Sequence, residues 1–427
     1  MSLLSTFKDR GCLHTASHFE ELEKALETES LTFYCGFDPT ADSLHVGSML
    51  PLIMMRRLQQ AGHTPIVLLG SATGMIGDPS FKSEERKLLS EEVIQTNIKG
   101  IEAQVSKFLS AKGANAFQVV RNGDWLSKVS MIDFLRDTGK LFSVNAMISK
   151  DSVRERLENR EQGISFTEFS YMLLQAYDFH WLFKHKKCRL QIGGSDQWGN
   201  ITAGLDVIRR KEGSEASAFA LTFPLITTSA GTKFGKTESG TVWLSPEKTS
   251  PYKFYQFWLN TGDEDSITFL KLFSETSLED IEALANEMKK APEKRSAQKF
   301  LARLMTELLH GEEERKRAEH SSEVLFSGSI ESLDSKSLLE IFSDVPSTSI
   351  KKSELDAGIA LSDLLVKTTI SKSKGEARRL IDGGGIYANN IRQSEAQALI
   401  TTAHCIEGKA LLLRSGKKNY HLVKVEG

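Results

Sequence analysis

Net charge, cysteine pairs and long apolar runs are all scarce in this chain of 427 residues. The four cysteines, Cys12, Cys35, Cys188 and Cys405, are widely scattered and show no C-x-x-C spacing. That argues against a disulfide framework or a structural zinc site and suits a reducing cytoplasm. No apolar run approaches a membrane span, so no membrane is expected as a partner. The N-terminal stretch carries Asp9, Glu20, Glu21, Glu23 and Glu27 and lacks a signal or transit pattern, so export is not expected. Both common phosphate loops, G-x-G-x-x-G and G-x-x-x-x-G-K-[ST], are missing where a strand first meets a helix.

What is present is ordinary in proportion and uneven in arrangement. With 40% apolar and 26% charged residues the composition is that of a globular protein, and the length calls for two or three domains. The net charge is −2, yet residues 351–427 hold 13 Lys and Arg against 8 Asp and Glu. A basic tail on an acidic body points to a polyanion as partner for the C-terminus.

The chain is organised around Tyr34–Gly47, Y-C-G-F-D-P-T-A-D-S-L-H-V-G. A β-like run, Leu31 to Cys35, precedes it, and helical sequence from Ser48 to Ala61 follows, closed by Gly62. Pro51 is tolerated because it falls in the first turn. Pro65 to Leu69 then completes a strand-turn-helix-strand unit, the start of a nucleotide-binding parallel sheet. The turn offers Thr40, His45 and Gly47 near a helix N-terminus, where N–H groups and the dipole attract phosphate. Gly47 would also let a flat ligand ring lie on the backbone. An ordinary corner with a surface His is the common alternative for a single H-x-G.

Four further stretches supply chemistry. Gly70 to Ser80 has three glycines and an Asp-Pro turn, so Asp78 either caps a helix or offers a carboxylate to an ammonium. In the apolar helix Ile164 to Phe183, Tyr171, Gln175 and Asp178 recur at i, i+4 and i+7, which places them on one face. A buried Asp178 has to be answered by a donor. The strand Arg189 to Ile192 leads into Gly193-Gly-Ser-Asp-Gln-Trp-Gly-Asn200, a Gly-rich loop where ligands sit in open α/β sheets. After the strand-like Leu221 to Ile226, Lys233-Phe-Gly-Lys-Thr237 puts two ammonium groups in a glycine-rich loop, suited to a triphosphate losing pyrophosphate. An exposed basic turn is the bland reading of that loop.

Amphipathic helices dominate from Pro251 to about His320, and residues 321–353 are Ser-rich and read as a linker. The last part pairs a basic helix, with Lys372, Lys374, Arg378 and Arg379, with a G-G-G turn and short strands. That pattern fits RNA bound through phosphates and shape.

Tyr34 to Gly47 resembles the H-I-G-H signature of class I aminoacyl-tRNA synthetases in the form it takes in tyrosyl-tRNA synthetases. It departs from that signature at the last position, where Ser48 stands in place of His. Lys233 to Thr237 resembles the K-M-S-K-S loop in its K-F-G-K-T form, and the C-terminal part resembles a small RNA-binding module shared with a ribosomal small-subunit protein. The bacterial-type tyrosyl family implies an α/β fold: a Rossmann-like parallel-sheet catalytic domain over 1–226, with a dimer-forming insertion around 126–163, and the signature loop over 227–247. An α-helical anticodon-arm domain over 248–320, a linker over 321–353 and an α+β RNA-binding module over 354–427 complete it.

The resemblance implies ATP with Mg²⁺, tyrosine and tRNA(Tyr) as reactants, no tightly bound cofactor, no protein-held metal, and a homodimer. Position by position, Tyr34 and Asp178 would bind the phenolic hydroxyl, while Asp78, Tyr171 and Gln175 would hold the ammonium. Asp38, Gly194, Asp196 and Gln197 would serve the ribose and the amino-acid backbone. Cys35, Gly36, Gly47 and Ser48 would lie by the nucleotide, and Thr40, His45, Lys233, Lys236 and Thr237 by the pyrophosphate. Two rivals stand beside this reading: a tryptophanyl enzyme, disfavoured because an indole offers only a donor, and an RNA-binding protein on a synthetase scaffold.

Overall fold

The computed structural model describes residues 2–426 apart from 81–88, 151–152, 155–156, 158–162, 230, 232–233, 238–239, 328–329, 331, 344 and 417–418. The described chain forms two compact units, one of residues 1–248 and 261–297, the other of residues 249–260 and 298–427.

The first unit is built on a six-stranded sheet: β1 (Thr15–Ala16), β2 (Thr32–Phe37), β3 (Thr64–Leu69), β4 (Gln118–Arg121), β5 (Cys188–Gly194) and β6 (Phe219–Phe223). Their order is β1-β6-β5-β2-β3-β4, parallel except for the antiparallel edge strand β1. Connections run outward from β2 through β3 to β4, and from β5 to β6 on the other side. The order therefore reverses between β2 and β5, which opens a crevice at their carboxyl ends. Both inner strands are buried on both faces, as parallel strands covered by helices must be.

Helix Met49–Gln60 follows β2 and buries Met49, Leu50, Leu52, Ile53, Met54, Met55 and Leu58, with Pro51 in its first turn where no donor is needed. Helix Phe166–Lys186 is capped by Ser165 and precedes β5; helix Trp198–Glu212 follows β5. Tyr34, Ile66, Leu68, Trp125, Phe179, Leu182, Cys188 and Ile208 share one core cluster, which fixes the polar stripe of the first helix against β2. Within the expected insertion, helices Met131–Asp137 and Val144–Ile148 leave Met131 72%, Ile132 71% and Val144 57% exposed, with Phe166 at 72% nearby in sequence. The charged run Arg154 to Glu161 lies largely outside the described residues.

Two strands, β7 (Lys236–Thr237) and β8 (Gly240–Thr241), form a separate hairpin in the same unit. Helices Asp263–Phe273 and Leu278–Lys290 also belong here. The helical segment expected as one domain over 248–320 is thus shared between units.

In the second unit, helices Pro251–Leu259, Ser296–His310 and Glu312–Ser327 pack together, with Trp258 fully buried. Strands β9 (Ser347–Lys351), β11 (Ile386–Ala388), β12 (Ile391–Arg392), β14 (Ala410–Ser415) and β15 (Asn419–Glu426) form a mixed sheet in the order β12-β11-β14-β15-β9, while β10 (Ile359–Ala360) pairs with β13 (Leu399–Ile400). The basic helix is Lys374–Asp382, on which Lys374, Arg378 and Arg379 stand exposed; Lys372 precedes it, also exposed.

The Ser-rich stretch 321–353 is not the linker its composition suggests. Asp334 caps helix Ser335–Ile341, β9 pairs in parallel with β15, and Val324, Ile330, Leu333, Leu338 and Phe342 are buried against Ala410, Leu412 and Leu422. A few apolar residues at helical spacing suffice to seat the segment, and the serines fill caps and buried bonds. Ser335 Oγ, for example, donates to Glu407 Oε2 at 2.7 Å.

Candidate active site

The carboxyl ends of β2, β3, β5 and β6 surround a cavity of about 480 Å³ in the first unit. Its lining includes Tyr34, Cys35, Gly36, Asp38, Thr40, His45, Gly47, Ser48, Asp78, Tyr171, Gln175, Asp178, Gly194, Asp196 and Gln197. These are the predicted site residues outside the lysine loop and the basic helix. Four of them are aspartates, and no Lys or Arg is among the lining residues described. An ammonium is favoured in such a field; a triphosphate needs cations brought to it.

Tyr34 is 1% exposed, and its hydroxyl has no hydrogen-bond partner among the described residues. Burial, then the neighbouring Asp178 charge, pushes this phenol well above its ordinary pKa, so it stays a neutral donor and acceptor. Asp178 is 2% exposed, and its donors are in place: Asn122 Nδ2 reaches Oδ2 at 2.9 Å and Trp125 Nε1 reaches Oδ1 at 2.7 Å. Burial still raises its carboxyl to about 7, against these two bonds. Trp125 is itself fixed by stacking on Trp181, centroids 4.1 Å apart.

From Asn122 the network continues. Its Nδ2 also reaches Thr73 Oγ1 at 2.9 Å, Thr73 donates to Asp38 Oδ1 at 2.8 Å, and the Tyr171 hydroxyl donates to Asp38 Oδ2 at 2.8 Å. Asp38 thereby links β2 to the polar helix stripe. Asp78 accepts from the Ser80 N–H at 3.0 Å and from Gln197 Nε2 at 2.7 Å, so its carboxylate faces the Gly-rich loop after β5. Asn200 Nδ2 lies 3.2 Å from Gln175 Oε1 and 3.3 Å from Gln197 Oε1, holding both amides in one orientation. Cys35 is buried and its thiol is pushed up to about 12, which keeps it protonated.

At the signature corner, His45 Nδ1 accepts from the Gly47 N–H at 3.0 Å. The neutral ring then carries its proton on Nε2. The space above Gly47 belongs to this ring: a Cβ there would meet His45 Cε1 at 2.7 Å. The glycine is needed for the histidine, whatever else approaches it.

The lysine loop is seated on this corner. Val46 N–H donates to Val242 O at 3.0 Å, and Leu244 N–H donates to Leu44 O at 2.8 Å. Gly235, at φ +82°, lies so close that a Cβ would meet Val46 Cγ2 at 2.5 Å. On its other side Phe234 packs on Phe269 and Phe273. Lys236 is exposed in β7 and does not line the cavity. Thr237 follows it in β7, and Lys233 lies outside the described residues.

Sequence reasoning missed Thr73, Asn122, Trp125, Asn200, Gln191 and Trp243. Asn122 to Trp125 stands at the carboxyl end of β4, so the strand-end rule that flagged 193–200 also applied there. Gln191 is level with Tyr34 on the neighbouring strand, 3% exposed, with its Oε1 unpartnered among the described residues.

Residues 26–327 match the family described as tRNA synthetases class I (W and Y), and residues 337–423 match the tyrosine–tRNA ligase SYY-like C-terminal domain. The chain is 51% identical over 425 residues to a tyrosine–tRNA ligase of Geobacillus stearothermophilus, covering 99% of this chain and 100% of that one. It is 49% identical over 426 residues to that of Roseiflexus castenholzii, covering 99% of each. A C-terminally truncated mitochondrial tyrosyl-tRNA synthetase from Aspergillus nidulans superposes with a TM-score of 0.68 at 29% identity, over 76% of this chain and 94% of that one. With the family matches and these identities spanning nearly the whole chain, it belongs to the class I tRNA synthetases, among the bacterial tyrosine–tRNA ligases.

Proposed function

We propose that the cavity activates tyrosine with ATP and passes the acyl group to the 3′-terminal ribose of tRNA(Tyr). The observation that carries the tyrosine assignment is the buried pair at the cavity wall: a Tyr34 hydroxyl with no hydrogen-bond partner among the described residues, beside the raised Asp178 carboxyl. A substrate phenol donates to Asp178 and accepts from Tyr34, satisfying both; an indole supplies a donor alone.

In the first step an oxygen of the tyrosine carboxylate bonds to the α-phosphorus, and the bond to the bridging oxygen breaks as pyrophosphate leaves. The carboxylate is already a nucleophile, so no side chain has to remove a proton. Positioning and charge stabilisation then carry the rate. Asp78 and Gln175 hold the substrate ammonium with Tyr171, whose hydroxyl is shared with Asp38. Asp38, Gly194, Asp196 and Gln197 receive the ribose and the amino-acid backbone, while Cys35, Gly36, Gly47 and Ser48 line the nucleotide side. Thr40, His45, Lys233, Lys236 and Thr237 meet the departing pyrophosphate. Mg²⁺ enters with ATP as part of the substrate; the described residues hold no group of three His, Cys, Asp or Glu that could bind an ion themselves. In the second step the ribose hydroxyl attacks the acyl carbon and AMP leaves. The test is charging of purified tRNA(Tyr) with labelled tyrosine; activation without charging would reject the transfer half.

Two partners complete the proposal. The exposed Met131, Ile132, Val144 and Phe166 form the face of a homodimer, and sedimentation at the monomer mass at micromolar concentration would reject it. Exposed Arg378 and Arg379, with Lys372 and Lys374, contact tRNA phosphates; Lys374 already pairs with Asp363 at 2.5 Å. Arg378→Gln with Arg379→Gln is expected to raise the KM for tRNA and lower the salt slope of binding by about 1 to 2, leaving tyrosine activation unchanged. An unaltered slope would move the RNA surface elsewhere. The four cysteines are free and buried, which fits a cytoplasmic setting, and no described helix is long and apolar enough to cross a membrane.

A further inference from the structure

We infer that one face of helix Glu91–Val105, carrying Asn97, Gly100 and Gln104, is the template that shapes the loop 38–45, and that Asn97 and Gln104 are positioning residues for Thr40 and His45. The inference rests on the phosphate roles of Thr40 and His45 proposed above.

The loop is irregular: residues 38–44 belong to no helix or strand, yet Pro39, Ser43 and Leu44 are buried. Buried backbone groups have to find partners, and here side chains of the helix supply them. Positions 97, 100 and 104 fall on one side of the helix by its repeat. Asn97 Nδ2 donates to Pro39 O at 2.8 Å. Gly100 lies so close to the loop that a Cβ would meet the Asp42 carbonyl oxygen at 2.0 Å. Gln104 uses both ends of its amide: Oε1 accepts from the Leu44 N–H at 2.8 Å, and Nε2 donates to Ser43 Oγ at 2.9 Å. Asn97 and Gln104 are each 6% exposed, so water competes little for these bonds.

The opposite side of the loop is held as well. Ser43 Oγ also accepts from the Ser245 N–H at 3.1 Å, and Leu44 O accepts from the Leu244 N–H at 2.8 Å. Leu44 is thereby fixed at its N–H by the helix and at its carbonyl by Leu244, and His45 is the next residue. Thr40 likewise follows the Pro39 carbonyl that Asn97 holds. Thr40 and His45 line the cavity, whereas Asn97 and Gln104 are not among its lining residues and act through the loop. Misplacement of a phosphate-binding group by about 1 Å costs on the order of 10²-fold in rate. Tyr34 and Asp178 stand on β2 and on helix Phe166–Lys186, so the phenol end of the pocket does not depend on this face.

The test combines pyrophosphate exchange with amide hydrogen exchange on the whole chain. Gln104→Ala is expected to lower kcat about 10- to 100-fold with the KM for tyrosine within about twofold of wild type. Gln104→Glu, which keeps the acceptor for the Leu44 N–H, should lose less. Gly100→Ala should match Gln104→Ala, although alanine favours a helix more than glycine does, because the methyl drives the Asp42 carbonyl away. In a double-mutant cycle, Thr40→Ala should cost far less in the Gln104→Ala background than in wild type. Hydrogen exchange of the Leu44 amide should quicken about tenfold in Gln104→Ala, with that of β5 unchanged. Additive penalties in the cycle, a matching rise in the KM for tyrosine, or an unchanged Leu44 amide would overturn the inference. Should Gln104→Ala fail to fold by thermal melting, Gln104→Glu and Asn97→Ser decide it through the same cycle. Silence of the wild-type chain in pyrophosphate exchange would count against the proposed function instead, and the Leu44 amide would still decide the template.

Discussion

Asp178→Ala is expected to lower kcat/KM for tyrosine by about 10²-fold or more while changing that for phenylalanine far less, so that the preference between them collapses. A hydrogen bond to a charged group contributes about 1.5–3 kcal/mol, and leaving a buried donor unpaired adds its desolvation cost. The variant also strips Asn122 and Trp125 of their acceptor, so a lower melting temperature is expected alongside. Tyr34→Phe separates the two effects. The Tyr34 hydroxyl bonds to nothing described in the free protein, so its removal should leave the melting temperature unchanged while the preference for tyrosine falls about 2- to 13-fold, the worth of a neutral hydrogen bond. Relative kcat/KM values for the two amino acids, measured in both variants, check this. An unchanged ratio in Asp178→Ala would remove that residue from the pocket.

The raised carboxyl of Asp178 adds a pH signature. The folded chain keeps a proton that the unfolded chain releases near 3.8, so the associated stability is fully present below that value and is lost as pH rises through about 7. A bound phenol donates to the ionised form and draws the pKa down again. The KM for tyrosine is therefore expected to fall as pH rises from about 6 to about 8, and Asp178→Ala should show no such trend.

Lys236→Ala carries the second large effect: a fall of about 10²- to 10³-fold in kcat for adenylate formation with little change in the KM for tyrosine. The reason is the field of the cavity. Asp38, Asp78, Asp178 and Asp196 line it with no described Lys or Arg, so no lysine or arginine among the described lining residues offsets the charge that grows as pyrophosphate departs. Cations have to come from the hairpin, and exposed Lys236 is one of the two that the loop provides. Lys236→Arg should recover part of the loss. A kcat within threefold of wild type in Lys236→Ala would contradict this role.

Much of the site was legible because its parts have local signatures. The i, i+4, i+7 stripe of Tyr171, Gln175 and Asp178 announces a polar face on an otherwise apolar helix, and the strand ends at Cys35 and Gly193 mark the crevice. What was illegible depends on separation along the chain. Asp178 demanded a donor, yet its donors sit 53 and 56 residues earlier, just past the carboxyl end of β4, and nothing in an N-G-D-W string names its partner. Gly47 was read as room for a ligand; the structure fills that room with the His45 ring, a contact made by a neighbour's rotamer and not by spacing. The Ser-rich 321–353 segment misled because composition averages over the few apolar positions that seat it.

The most direct test of the account is pyrophosphate exchange into ATP, with each of the twenty amino acids supplied alone and no tRNA present. Exchange with tyrosine and with no other amino acid at comparable rate is the predicted result. Exchange with tryptophan would keep the fold and contradict the Tyr34 and Asp178 pocket, and silence with all twenty would contradict activation itself.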